Sequence, residues 1–265
     1  MINMIRADIY KMFKASAFKI LLAITAAAAA ALVIIANFIA EGKINSEISG
    51  AVFLISDVSL LSILGGVAAG IFICNDFENK TIHEAIASGF GRTKVVISKA
   101  LAFFTGIAVL LLPYALGTGI AISSGKDYSL GNTSLGFLHL LTVEAETVLS
   151  IEEIPKLLVV MVVLMLVLTA QLSICVFLAL VLKKTVAVIA IYYGISITSG
   201  QLLGLAEKSE LFDKLYSLTP FGGTYMLMTL EAGTGEIIKA VLVSIGFTAV
   251  ILGLTCMVFR KKEIK

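Results

Sequence analysis

The side chains that could do chemistry are few, and their spacing does not assemble a catalytic set. His83 and His139 are the whole histidine complement, and they cannot form the H-E-x-x-H arrangement that places two imidazoles on one helix face around zinc. Glu152-Glu153 pairs two carboxylates, but the arginine and apolar-segment histidines that would complete an intramembrane proteolytic site are missing. There is no G-x-x-x-x-G-K-[ST] phosphate loop, so the chain is not expected to bind and hydrolyse ATP itself. Cys74, Cys175 and Cys256 all fall in apolar runs; their odd number and lipid location predict free, structural thiols. No enzyme, and no metal or cofactor in this chain, is expected.

The elements that carry these residues are membrane spans. Of 265 residues, 59% are hydrophobic and 14% charged, against about 25% charged in soluble domains, and the mean hydropathy is +1.04. Apolar runs at about 20–40, 51–74, 100–123, 156–182, 185–206 and 237–259 each suffice to cross a bilayer. The first is longer than the apolar region of a cleaved signal peptide. The predicted fold is an all-α integral membrane protein with six transmembrane helices, forming one transmembrane domain over 1–265.

Charge sets the expected orientation. With both termini cytoplasmic, the inner segments hold 14 of the 20 Lys and Arg, and only five of the 18 Asp and Glu, as the positive-inside rule requires. The net charge of +2 says little about partners, and nothing suggests nucleic acid; the lipid bilayer is the first partner. Ile5, Ile9, Met12 and Phe13 recur at helical spacing among Arg6, Lys11, Lys14 and Lys19, the pattern of a helix lying in the cytoplasmic interface, with an ordinary basic flank as the alternative. The external loop 124–155 is acidic, and Leu135 to Leu149 reads as an interfacial helix.

Polar groups within the spans mark where a path could run. Asp57 lies near the outer end of the second span, Gln171 near the middle of the fourth, and Tyr192, Tyr193, Ser196, Thr198 and Gln201 in the fifth, the most polar of the six. Intramembrane polar residues are functional candidates by default, yet Asp57 also suits an interfacial position and Gln171 a helix-to-helix hydrogen bond. Gly66-x-x-x-Gly70 and Gly200-x-x-x-Gly204 permit close helix approach, and Pro113 predicts a kink in the third span. Leu211, Leu215 and Leu218, then Pro220 to Gly223, suggest an external helix and a re-entrant turn.

The one long charged interruption in the first half is 75–99, NDFENKTIHEAIASGFGRTKVVISK. Thr81 to Glu84 fits a capping box, in which the Thr81 hydroxyl accepts from the residue-84 amide and Glu84 reaches back. The helix would start at Ile82, bury Ile82, Ala85 and Ile86 on one face, and stop at Gly89. Two turns are not stable alone in water, so this helix must pack on something; a plain polar loop is the alternative.

Asp76-Phe77-Glu78-Asn79, Thr81-Ile82, Ser88-Gly89, Arg92 and Lys99 resemble the first cytoplasmic loop of type 2 ABC transporter permeases, above all the branch of bacitracin resistance and lantibiotic immunity. That pattern reads acidic-Phe-x-Asn-Gly-Thr-Ile, then Ser-Gly-x-Ser-Arg, then Lys. Lys80 stands where Gly is usual and Gly91 where Ser is usual. The resemblance implies a membrane permease subunit of an ATP-driven exporter in the bacterial cytoplasmic membrane, paired with a second permease copy or relative and served by a separate ATP-binding subunit that holds ATP and magnesium. It implies that Phe77, Glu78, Thr81, Ile82, Glu84, Ile86 and Arg92 couple to that subunit. Antimicrobial peptides or other amphipathic compounds are the implied cargo. A secondary transporter and a noncatalytic scaffold or sensor-associated subunit remain the alternatives.

Overall fold

The computed structural model describes residues 2–45, 48–129, 134–145, 152–206, 208–222 and 224–261. These form helices and turns, with no strand among the described residues. Six helical stretches are long and apolar enough to cross a membrane: Ser16–Ala40, Gly50–Glu78, Arg92–Ser123, Ile154–Leu182, Thr185–Ala206 and Thr234–Lys261. The chain is therefore a multi-pass membrane protein, with the spans where the apolar runs place them.

The N-terminal amphipathic segment is α1 (Ile2–Lys14), which turns at Ala15 into the first span, α2 (Ser16–Ala40). The second span departs from the expected continuous helix. It is broken into α3 (Ser49–Leu54) and α4 (Asp57–Ala69), because the Ser56 hydroxyl accepts from the Ser59 amide and so caps a new helix. The carbonyl freed at Ile55 accepts from the Tyr114 hydroxyl at 2.7 Å, which meets the demand that backbone groups inside a membrane be satisfied. Beyond α4 a π-helical turn, Gly70–Cys74, leads into α5 (Asn75–Glu78) and α6 (Thr81–Ala87).

The third span, α7 (Arg92–Ser123), runs through Pro113 without interruption. Next, α8 (Phe137–Val143) corrects the expected interfacial helix: Phe137, Leu138, Leu140 and Leu141 are buried in the core. The remainder of that expectation, 146–149, lies outside the described residues. The fourth span, α9 (Ile154–Leu182), is joined by Lys183-Lys184 to α10 (Thr185–Ala206); α11 (Glu210–Tyr216) and the last span, α12 (Thr234–Lys261), complete the chain. The α11 helix is where its leucines predict, but Leu211 and Leu215, with Leu218 beyond it, point away from the bundle.

The centre of the bundle is α9, which packs on α4, α7, α10 and α12. The first glycine pair works as its spacing suggests. A Cβ on Gly66 would stand 3.0 Å from Ile189 Cα, and one on Gly70 would stand 2.1 Å from Thr185 Cγ2, so α4 and α10 meet backbone to backbone there. The second pair behaves differently: Gly200 and Gly204 have nothing within 4 Å.

Candidate functional site

The interrupted stretch 75–99 meets both chain termini at one end of the bundle. Asp76, in α5, is its electrostatic hub. Its Oδ1 accepts from Lys11 Nζ of α1, and its Oδ2 accepts from Lys99 Nζ of α7 at 2.5 Å. Lys99 also donates to Asp8, which in turn accepts from the Ser98 hydroxyl at 2.7 Å. The side chains of Asp76 and Lys99 are only 2% and 12% exposed, whereas Lys11 is 55% exposed. Two carboxylates and two ammonium groups thus neutralise one another where α1, the second span and the third span converge. The seat is shaped for α1: Met12 occupies the hollow left by Gly106, where a Cβ would stand 2.6 Å from its Sδ.

Asp76 and Lys99 carried the resemblance, but neither they nor Asp8 and Lys11 were among the expected site residues. The signal was present in α1: Asp8 lies four residues before Met12, and therefore on the face that the apolar stripe buries.

The short helix forms, but its ends are built differently from expectation. No reciprocal capping box closes its N-terminus. The helix begins at Thr81, and its N-cap is Lys80 in the left-handed region at φ +59°. The Thr81 hydroxyl donates back to the Asp76 carbonyl at 3.2 Å, so it ties α6 to α5 instead of capping residue 84. Glu84 is exposed. The C-terminus stops as predicted: Gly89 takes φ +90°, its amide donates to Ile86 O at 3.0 Å, and Phe90 donates to Ala85 O at 3.2 Å, the paired bonds of a Schellman motif.

Several of the expected docking residues are engaged within the chain. Ile82 is 1% exposed, and Ala85 and Ile86 are half-buried against the same core. Phe77 is buried, edge-on to Phe259 with ring centroids 6.1 Å apart, and Lys183 Nζ lies 4.9 Å from its ring centre in cation–π geometry. Arg92 Nη1 donates to Arg260 O at 2.9 Å, placing positive charge on the carbonyl end of α12. These contacts tie the end of the bundle together. The outward surface left beside them is formed by Glu78, Glu84, Ala87, Ser88 and Phe90.

At the opposite end, a cavity of about 550 Å³ opens between α3, α4, α10 and Phe221, Met226 and Leu227. Gln171, Tyr193, Ser196 and Gln201 lie on its wall; Asp57 and Tyr192 do not. Tyr192 is buried in the core. Asp57 is fully buried at the start of α4, where its Oδ2 accepts from the Phe137 amide at 3.0 Å and holds the N-terminus of α8. That contact needs Gly136, because a Cβ there would stand 2.2 Å from Asp57 Oδ2. Asp57 and Gly136 are thus a brace for the turn that leads into α8.

Gln171 Nε2 donates to Pro220 O at 2.8 Å, and Gly136 donates to Met226 O at 2.7 Å. The turn after α11 is therefore folded back over the bundle. Near it, the Ser134 hydroxyl is 3.2 Å from His139 Nδ1. Burial holds His139 below its ordinary pKa, opposed by the Leu227 backbone, so the neutral imidazole is the folded form. Comparison with models of known protein families finds no match to the chain, and comparison with curated proteins finds none either.

Proposed function

We propose that the chain is the membrane-spanning permease subunit of an ATP-driven exporter of the type 2 ABC class, lying in a bacterial cytoplasmic membrane with its termini in the cytoplasm. The observation that carries this reading is α6. It is a seven-residue helix that links the second and third spans, is fixed to the bundle through Ile82 and Phe77, and keeps Glu84, Ala87 and Ser88 facing outward. A helix so short has no stability of its own; anchored this way, it transmits a push on its outer face to both spans.

The left-handed backbone at Lys80 supports the resemblance in the same loop, since glycine, usual at that place in the pattern, is the residue this conformation favours. The hub of Asp76 and Lys99 gives two further matching positions a shared role: they lock the turn to α1 and α7. A separate subunit would bind ATP and magnesium, and a second permease chain would complete the assembly. ATP-driven closure then biases an equilibrium between two arrangements of the spans, with the cavity at the far end as the position of the cargo, an antimicrobial peptide or another amphipathic compound.

Site-specific photo-cross-linking from position 88 in native membranes tests the reading. A cross-link to an ATP-binding protein is the expected outcome. Cross-links confined to lipid and to the chain itself would contradict it.

A further inference from the structure

The cavity at the far end has a composition that selects its guest. Among the described residues of its wall there is no Lys, Arg, His, Asp or Glu. Leu54, Ile197 and Leu227 line it and are 56%, 51% and 41% exposed, so the apolar wall opens at the surface of the chain beside α3 and α10. Moving a charged group into such a place costs about 2.5 to 3.5 kcal/mol on insertion scales, and no opposite charge on this wall offsets it. A volume of about 550 Å³ holds a body of drug or lipid-chain size.

One polar group is set deep in this wall. Gln171 is 7% exposed, and the bond from its Nε2 to Pro220 O fixes which end of the amide is which. Its Oε1 accepts from no described residue, and it is not among the fully enclosed unpartnered atoms, so it remains open to the cavity. Tyr193 lies on the same wall. An acceptor held in place in an otherwise apolar wall favours a guest that brings a hydrogen-bond donor to it over one that brings none.

We infer that this cavity binds an uncharged amphiphile, an apolar chain ending in a hydroxyl or amide N–H that donates to Gln171 Oε1, reached sideways from the bilayer. This deepens the permease reading by naming the substrate class, and rests on that reading only for the step from binding to transport. An amphipathic peptide would insert an uncharged segment here and leave its cationic residues outside.

The test uses the full-length chain in phosphatidylcholine nanodiscs and three photoreactive probes with the same acyl chain. These are a monoacylglycerol, which carries hydroxyl donors; the methyl ester, which has none; and a lysophosphatidate, which is anionic. The monoacylglycerol is expected to label peptides around residues 53–59 and 196–203, about three- to tenfold more than the ester, the range expected of one hydrogen bond, and more than the lysophosphatidate. Gln171→Leu should lower its labelling to that of the ester. Leu54→Trp, which fills the cavity from the other wall and leaves the Pro220 bond intact, should lower labelling by both. Equal labelling by all three probes, or full monoacylglycerol labelling in both variants, would overturn the inference. Recovery of an ATPase partner is a separate measurement: labelling that fails while the partner is present sinks the substrate class alone, and labelling that succeeds with no partner sinks the permease reading alone.

Discussion

Asp76 and Lys99, 23 residues apart in the chain, meet as an ion pair with Oδ2 and Nζ 2.5 Å apart. The pair fastens the end of the second span to the third, and because both side chains are nearly shielded from water, it is sensitive to the loss of either partner. Removing one member of a buried pair typically costs about 3 to 5 kcal/mol, since the other charge is left uncompensated. Asp76→Asn and Lys99→Met are therefore expected to lower the apparent melting temperature clearly in detergent. Lys11→Met, at the exposed corner of the same cluster, is expected to cost less than about 1 kcal/mol. Circular dichroism melting of the three variants checks this order.

The two glycine pairs make opposite predictions from the same motif. Gly66→Val and Gly70→Val push side chains into α10 and should destabilise the bundle by roughly 1 to 3 kcal/mol. Gly200→Ala and Gly204→Ala meet open space within the chain and should leave the melting temperature of the isolated chain unchanged. The four variants can be compared by the same melting assay.

Lys80 sits in a left-handed conformation that costs a side-chain-bearing residue about 1 to 2 kcal/mol. Lys80→Gly removes that cost and loses part of the gain to glycine's greater unfolded-state freedom, about 0.5 to 1 kcal/mol. The expected result is a protein equal to or slightly more stable than the parent. Lys80→Val, whose branched side chain tolerates this region worst, should be less stable than either.

His139 gives the segment around α8 a pH dependence whose sign follows from its lowered pKa. The unfolded chain takes up a proton near the ordinary value of 6.5, while the folded chain resists it until lower pH. This contribution is complete above about 6.5 and is lost as pH falls towards the folded value. His139→Gln should flatten the dependence in that window. Hydrogen exchange in 134–143 and 225–230, measured at pH 7.5 and 5.5 and corrected for the intrinsic exchange rate at each pH, reports it as lower protection at low pH in the parent and little change in protection in the variant.

The spans were legible because each apolar run is long enough to cross a bilayer, and Gly89 announced the end of α6 because a left-handed helix stop needs glycine. The break in the second span was hidden in Ser56-Asp57, a capping pair set inside an otherwise apolar run, where local hydrogen-bonding chemistry overrides hydropathy. Thr81 and Glu84 matched a capping pattern, yet the left-handed Lys80 turned the Thr81 hydroxyl towards Asp76. For Phe77 and Arg92, residue type indicated contact but not with what: Phe259 is 182 residues from Phe77 and the Arg260 carbonyl 168 from Arg92. Gln171, Tyr193, Ser196 and Gln201 could be picked as polar residues in spans, but their meeting on one wall depends on the turn at 220–227, which periodicity does not predict.

The central proposal is that the outer face of α6 docks an ATP-hydrolysing subunit. Purification of the tagged full-length chain from its native membranes in mild detergent, with mass spectrometry and an ATPase assay of what accompanies it, tests this directly. A stoichiometric ATP-binding subunit is expected with the parent chain, and its ATPase stimulation should fall about tenfold or more with Glu84→Lys, as for a hot-spot residue at a docking surface, while membrane insertion and melting temperature stay unchanged. Recovery of the intact chain without an ATPase, or unaltered stimulation in both Glu84→Lys and Ser88→Arg, would contradict the proposal.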